Sequence, residues 1–284
     1  MPELPEVETI VRQINKVIVG KTVADVFVYR KKSFVGDPKD LVRKTVTKAS
    51  RKGKVILLHF KTLYPIILIH LKMTGQLIYV GREKRVAGGH PSLDWVAKLP
   101  NKYTRVELTF KNEGSLFFND LRVFGWLKVV TSQEQLEEEL KNVSGIEPLT
   151  DDFTPQSLVK IFARSGQPIK IVIMDQKKIA GIGNIYANDA LWDAKIDPQR
   201  PAKSLSKQEV ARLHQSINKV IALGIKYGGT SQKDYKQLLG EEGDYQYHFL
   251  AYKREGEPCQ RCQNPIAKIH LGGRGTYLCR FCQK

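Results

Sequence analysis

The sequence predicts an α+β fold in which a β-rich first half carries one amphipathic helix and a helical second half ends in a small cysteine module. Three observations predict it. Apolar residues recur at helical spacing near the N-terminus, short β-rich runs replace that period between Val23 and Val130, and the helical period returns before a tail that holds every cysteine.

In order, Val7, Ile10, Val11, Ile14, Val17 and Ile18 form the apolar face of a helix that ends at Gly20. Pro2 then stands at a helix start, where proline is tolerated and acids such as Glu3 and Glu6 are favoured. The β-rich runs are Val23 to Tyr29, Lys54 to Phe60, Ile66 to Leu71, Arg105 to Phe110, Ser115 to Phe118 and Trp126 to Val130. They suit a β-sandwich or a barrel carrying the one helix. Val86 to Asn101, with Gly88-Gly89-His90-Pro91 and Trp95, reads as a long loop. The acid-rich stretch from Thr131 to Asn142 reads as an exposed connecting helix and marks a boundary. The expected domains are residues 1–131, a connector at 132–150, a helical domain at 151–250 and a terminal module at 251–284. In the helical domain the periodic segments are Ser157 to Ala163, Ile169 to Lys177, Ile185 to Trp192 and Lys207 to Lys226.

With 46 Lys and Arg against 29 Asp and Glu, the chain carries a formal charge of +17, which attracts a polyanion and supplies sequence-independent affinity. The excess is spread through folded-looking segments rather than gathered on an amphipathic tail, which favours nucleic acid over a membrane surface. Near the C-terminus Lys253, Arg254, Arg261, Lys268, Arg274, Arg280 and Lys284 face only Glu255 and Glu257, so the module reads as a phosphate-binding surface. Runs such as Val55 to Leu58 and Ile66 to Ile69 are of strand length, far short of a bilayer crossing. The N-terminus has acids and a proline where a secretory signal has a basic start. A soluble, cytoplasmic protein is the expectation.

Cys259-Gln260-Arg261-Cys262, sixteen residues and Cys279-Arg280-Phe281-Cys282 have the spacing of two knuckle turns that present four thiolates to one structural zinc ion. Two disulfides are the alternative and need an oxidising compartment, of which the sequence carries no sign. No redox or nucleotide cofactor is expected. The second chemical feature is Pro2. Loss of Met1 leaves it a free secondary amine, which can attack a sugar carbon and become a permanently charged iminium, so one residue supplies nucleophile and electron sink. Glu3 and Glu6 lie within reach as proton donors. Taken alone, the same residues are an ordinary way to open a helix.

A dispersed set of motifs stands in order along the chain: Met1-Pro2-Glu3-Leu4-Pro5-Glu6-Val7-Glu8-Thr9, Arg51-Lys52-Gly53-Lys54, His70-Leu71-Lys72-Met73-Thr74-Gly75 and Asn119-Asp120-Leu121-Arg122-Val123-Phe124-Gly125. Glu147-Pro148-Leu149-Thr150-Asp151-Asp152-Phe153, Gly181-Ile182-Gly183-Asn184-Ile185-Tyr186-Ala187 and Arg254-Glu255-Gly256-Glu257-Pro258-Cys259 continue it into the cysteine tail. Through them the chain resembles the formamidopyrimidine-DNA glycosylase family, bacterial enzymes that excise oxidised purines. The resemblance implies an N-terminal β-sandwich with the catalytic helix, and a helical domain with a helix-two-turn-helix motif and a four-cysteine zinc finger. It also implies a monomer that holds double-stranded DNA between the two. The implied activity joins a base-excision glycosylase to an abasic-site lyase, through a proline Schiff base and β,δ-elimination.

By position, the resemblance makes Pro2 the nucleophile, Glu3 its acid-base partner, Lys54 the lysine associated with β-elimination, and Arg274 the finger arginine that contacts phosphate and is assigned to δ-elimination. Met73, Arg122 and Phe124 match the side chains that fill the gap left by an everted nucleotide. Core packing is the alternative for Met73 and Phe124, but Arg122 beside Asp120 and Gly125 favours an exposed loop. His70 and Asn184 match phosphate contacts. The segment from Gly228 to Tyr252 matches the loop that closes over an everted purine, with Gly229, Thr230 and Ser231 offering backbone amides, Tyr245 and Tyr247 offering stacking faces, and Tyr252 at its end.

The chain departs from the family pattern at Tyr103, where a DNA-contacting histidine is usual, and at Ser165 beside Arg164, where a lysine contact falls. It departs again at Lys253, where glycine is usual, and at Gln232 and Lys233. Two other readings remain: an endonuclease VIII-like enzyme for oxidised pyrimidines, and a catalytically silent zinc-dependent DNA-binding protein. Intact Pro2, Glu3 and Lys54 argue against the second.

Overall fold

Helix α1 (Leu4–Ile18) begins in a capping box, with the Glu6 carboxylate accepting the Glu3 N–H at 2.9 Å and Pro5 in the first turn, where a missing N–H leaves no bond unmade. Its face of Val7, Ile10, Val11, Ile14, Val17 and Ile18 is buried. The computed structural model describes residues 1–90, 92, 97–111, 114–230 and 243–284. By proximity the chain divides into two units, Met1–Lys141 with the described residues of Gly228–Gly243, and Asn142–Tyr227 with Asp244–Lys284.

In the first unit β1 (Val23–Val28), β2 (Phe34–Val35), β3 (Val46–Lys52), β4 (Val55–Phe60), β5 (Ile66–His70), β6 (Gly75–Val80), β7 (Arg85–Gly89), β8 (Thr104–Phe110), β9 (Ser115–Asp120) and β10 (Trp126–Val130) follow α1. They form two five-stranded sheets, ordered β1-β8-β9-β6-β7 and β2-β10-β5-β4-β3. Val26, Leu77, Val106 and Phe118 from one sheet and Ile56, Leu58, Ile67 and Leu127 from the other share a single apolar cluster with α1. The architecture is therefore a β-sandwich with the helix built into its core.

Four of these strands lie outside the β-rich runs read from the sequence: β2, β3, β6 and β7. In β3 only Val46 and Ala49 are buried, so a basic edge strand carries too little apolar alternation to be legible. Strand β7 occupies the start of the stretch expected to be a long loop. Its glycines hid it: a side chain at Gly88 would meet Ile10 at 2.5 Å, so glycine is what lets the strand lie on α1. Beyond it the His90 N–H donates to the Gly75 carbonyl at 3.1 Å and Gln76 Nε2 donates to Ser92 Oγ at 2.7 Å. Pro91 and Trp95 lie outside the described residues.

Helix α2 (Gln133–Leu140), capped by Ser132, buries no residue, as its acidic composition leads one to expect. The division between units falls after Lys141. The second unit contains α3 (Pro155–Ala163), α4 (Ile169–Met174), α5 (Asn184–Asp193), α6 (Lys207–Lys226) and the hairpin β11 (Ala267–Leu271) and β12 (Arg274–Leu278). Thr154 and Ser206 cap α3 and α6 in capping boxes. Helix α4 stops short of the expected Lys177, because Asp175 leaves the helical region and its carbonyl accepts the Lys178 and Ile179 N–H groups. Gly228 to Thr230, expected in the helical domain, group with the first unit instead, for the Thr230 N–H donates to Glu6 Oε1 at 2.9 Å. No helix among the described residues is long and apolar enough to cross a membrane.

Candidate functional site

Pro2 is buried two residues before Leu4, the first residue of α1, behind an exposed Met1. Glu3, also buried, follows it. Glu6 ties this corner together, one carboxylate oxygen holding the Glu3 N–H and the other the Thr230 N–H. Gly229, at φ +79, lies so close that a side chain there would meet Glu6 Cγ at 2.8 Å, which accounts for glycine at that position. Ser231, Gln232 and Lys233 lie outside the described residues.

Two turns at one end of the sandwich are held by one buried carboxylate. Asp120 accepts the Thr74 hydroxyl, the Arg122 N–H at 3.2 Å and the Gly125 N–H at 2.7 Å. The turns present Met73, 45% exposed, and Phe124, 52% exposed, so neither packs in the core. The Arg122 guanidinium lies 4.7 Å from the Phe124 ring centroid, and its Nη1 approaches Met73 Sδ at 3.3 Å. The three side chains that the resemblance gives as one set form one exposed cluster.

Lys54 is buried in the turn between β3 and β4. His70 is buried at the end of β5, its Nδ1 accepting the Lys72 N–H at 3.0 Å. Burial first, then the charges of Lys72 and Lys54, pushes its pKa down to about 3, so the ring is neutral beside two cations, a setting suited to an anion. Tyr103 is half-buried, with the Lys102 ammonium 5.0 Å from its ring centroid and its N–H on Asn101 Oδ1.

In the second unit Arg274 opens β12 with an exposed side chain, and Arg164 ends α3, also exposed. Asn184 is the first residue of α5, and its Nδ2 donates to the Gly275 carbonyl at 3.2 Å. Several cations counted toward a phosphate surface have protein partners. Arg261 stacks 3.9 Å from the Trp192 ring and donates to the Trp192 and Asp193 carbonyls, Arg254 pairs with Glu257, and Lys268 pairs with Glu255. The module's outward cations reduce to Lys253, Arg274, Arg280 and Lys284. Tyr245 is likewise not a stacking face: it is buried, its hydroxyl donating to Asp189 at 3.1 Å and its ring 4.9 Å from that of Tyr186. Asp189 also accepts the Tyr252 N–H at 3.0 Å, and the Tyr252 ring meets Phe249 and Tyr277 edge-on. Tyr247 is exposed.

The four cysteine sulfurs all lie within 4.8 Å of one another, with Cys259 and Cys282 at 3.9 Å and Cys262 and Cys279 at 3.4 Å. A tetrahedral Zn–S distance of about 2.3 Å sets an S–S edge of about 3.8 Å, so the donors fit zinc. Asn264 holds the Cys262 thiol down to about 6, whereas desolvation and the neighbouring thiols push Cys282 up to about 12. Charge on one sulfur opposes ionisation of the next, and a divalent cation among them removes that opposition.

Comparison with known proteins decides the family. Residues 1–127 match the formamidopyrimidine-DNA glycosylase N-terminal domain, residues 144–236 its H2TH domain, and residues 256–284 a zinc finger found in these glycosylases and in isoleucyl-tRNA synthetases. The chain belongs to the formamidopyrimidine-DNA glycosylase family. It is 38% identical to the enzyme of Desulforamulus reducens over 100% of this chain and 99% of that one, and 36% identical to that of Lactiplantibacillus plantarum over both full chains. The Lactococcus lactis enzyme in complex with abasic-site DNA superposes with a TM-score of 0.87 at 30% identity over 99% of each chain. The Thermus thermophilus enzyme gives 0.84 at 32% identity over 99% and 98% of the two chains. The fold is that of the family, and Cys259, Cys262, Cys279 and Cys282 form its structural zinc centre.

By sequence Glu6 is a proton donor and Asp120 a neighbour of Arg122, and the structure adds an organising role to each. Their organising roles need hydrogen bonds that close over long chain separations, and only the position of Glu6 at the third residue of a capping box signals one of them.

Proposed function

We propose that this chain is a bifunctional DNA glycosylase and abasic-site lyase that removes oxidised purines, 8-oxoguanine and formamidopyrimidines, from double-stranded DNA, working as a cytoplasmic monomer. The coarser part, a DNA glycosylase of base-excision repair, follows from family membership. The lyase reading rests on the seat of Pro2. It is buried immediately before Glu3, the N-cap of α1, so loss of Met1 leaves a secondary amine next to a carboxylate that can move its proton.

With Met1 removed, the Pro2 nitrogen attacks the anomeric carbon, the bond to the base breaks, and Glu3 manages the proton at the sugar. The iminium acidifies the adjacent sugar proton, whose loss expels the 3′ phosphate, with Lys54 assisting. A second elimination, assigned to Arg274, expels the 5′ phosphate. Met73, Arg122 and Phe124 hold the emptied stack, the guanidinium serving the orphaned base. His70, Asn184, Tyr103 and Arg164 steady the backbone, and Gly229, Thr230, Ser231 and Tyr252 belong to the segment that closes on the base. Tyr245 serves that segment from the core, by fixing its anchor on Asp189.

A structure of the Lactococcus lactis enzyme with an N7-benzyl-Fapy-dG DNA supports the purine reading, and one with an abasic-site DNA supports the abasic-site substrate. The same enzyme has also been solved with an oxidised-pyrimidine DNA, so the pyrimidine alternative needs its own arm in the test. Borohydride trapping on an 8-oxoguanine:cytosine duplex should give a covalent adduct with the processed protein and none when an uncleaved N-terminal extension acylates Pro2. Full trapping by the extended protein would refute the proline mechanism. Faster release of thymine glycol than of 8-oxoguanine would overturn the lesion class while leaving the chemistry standing.

A further inference from the structure

Lys170 is fully buried in the first turn of α4. Its ammonium donates to the Thr276 hydroxyl at 2.7 Å and to the Gly275 carbonyl at 3.2 Å. Gly275 accepts a second bond from Asn184 Nδ2, and the Thr276 hydroxyl in turn donates to the Arg274 carbonyl at 3.2 Å. On the other side of Arg274 the hairpin turn is seated by Gly272, at φ +58, where a side chain would meet Ile171 Cδ1 at 2.3 Å. The next strand residue, Tyr277, donates its N–H to the buried Asn188 at 2.7 Å. The backbone before and after Arg274 is therefore fixed upon α4 and α5, while the Arg274 side chain is exposed.

Removing an ammonium from water is costly, and an apolar side chain of similar length would fill the same space at lower cost. What an apolar residue lacks is a donor for Gly275 and Thr276. We propose that Lys170 is a positioning residue for DNA-backbone capture: from beneath the finger hairpin it fixes the two residues after Arg274 and so aims that guanidinium at a phosphate. The proposal rests on the reading of Arg274 as a phosphate contact. A guanidinium already aimed loses less freedom on binding, which is how a buried group far from the DNA raises affinity.

The test is a double-mutant cycle in the full-length zinc protein, read as affinity for a duplex with a tetrahydrofuran abasic analogue over a range of salt. Lys170→Met keeps length and removes the donors, and Thr276→Val removes the acceptor while leaving the lysine. Zinc content and circular dichroism report folding. Each variant is expected to retain one zinc and to weaken binding by about tenfold, the scale of one charge-assisted hydrogen bond. Each should also flatten the log–log salt dependence by about 0.9, as loss of one phosphate contact does. In an Arg274→Ala background neither should weaken binding further. If Lys170→Met disturbs folding, Thr276→Val carries the test alone. Undiminished effects in the Arg274→Ala background, or unchanged binding in folded variants while Arg274→Ala is impaired, would overturn the positioning role. An Arg274→Ala protein that binds and cleaves normally would instead sink the phosphate reading beneath it.

Discussion

At Lys253 the backbone turns through φ +58, a left-handed conformation that glycine adopts freely and a side chain resists by about 1–2 kcal/mol. The family's usual glycine at this place has that physical reason, and the exposed lysine keeps the turn under strain. Lys253→Gly should raise stability by about 1 kcal/mol, the relief of strain exceeding the added freedom of the unfolded chain, and thermal denaturation measures it. A lower midpoint would mean that the lysine contributes more through its charge or its packing on Tyr252 than the backbone loses. His70 gives a pH prediction. Its pKa is about 3 in the folded protein against roughly 6.5 in an unfolded chain. Between those values the unfolded state binds a proton that the folded state does not. The contribution is therefore fully present above about pH 6.5 and is lost as pH falls toward 3, by up to about 1.4 kcal/mol per pH unit. His70→Asn, which can still accept the Lys72 N–H, should flatten the fall of the melting midpoint between pH 6.5 and 4. Equal acid sensitivity in both proteins would assign that slope to other groups.

At the scale of elements, the zinc module uses its cations in two ways. Arg261, between two zinc ligands, stacks on Trp192 and donates to the C-terminal carbonyls of α5, so it docks the first knuckle on the helix. Arg280, in the second knuckle, is exposed. Arg261→Ala should speed zinc loss to a chelator severalfold while leaving the salt dependence of DNA binding intact. Arg280→Ala should do the reverse, flattening that dependence by about 0.9 with normal zinc retention. Measured slopes and release rates that moved together in both variants would show that the two knuckles are not specialised. The same contrast explains what was illegible in the sequence. A cation's residue type says nothing of whether it meets a carbonyl or a phosphate, and β3 and β7 escape notice because edge strands and glycine-bearing strands lack the alternation that marks a half-buried one.

For the molecule as a whole, each unit has a core of its own: the sandwich closes on α1, and the finger packs its cysteines with Trp192, Ala251 and Ile266. The second cluster is small, so the finger depends on its metal, as compact zinc modules do. Chelation should abolish DNA binding and unfold the C-terminal module while the sandwich retains its circular dichroism and its own melting transition. One concerted loss of all signals would contradict independent cores. Across the intact protein the +17 charge should make affinity for any duplex fall by ~0.9 log units per log unit of salt for each phosphate neutralised.

The sequence by itself determined the helix at the N-terminus, the metal ligands and the order of β-rich and helical halves, because periodicity and ligand spacing are local properties of a chain. Through the family resemblance its motifs also marked Met73, Arg122 and Phe124, and Arg122 beside Asp120 and Gly125 favoured an exposed loop for that turn. Tertiary structure alone decided that Asp120 gathers those three into one cluster and that Glu6 joins the N-terminus to Gly229 and Thr230. It alone decided that Tyr245 is core rather than surface, and that Arg261 and Lys170 serve the protein's own carbonyls. Each of these depends on which groups meet across a long separation in the chain. A donor or a ring has the same appearance in sequence whatever it faces, and only packing sets its partner and its exposure to water.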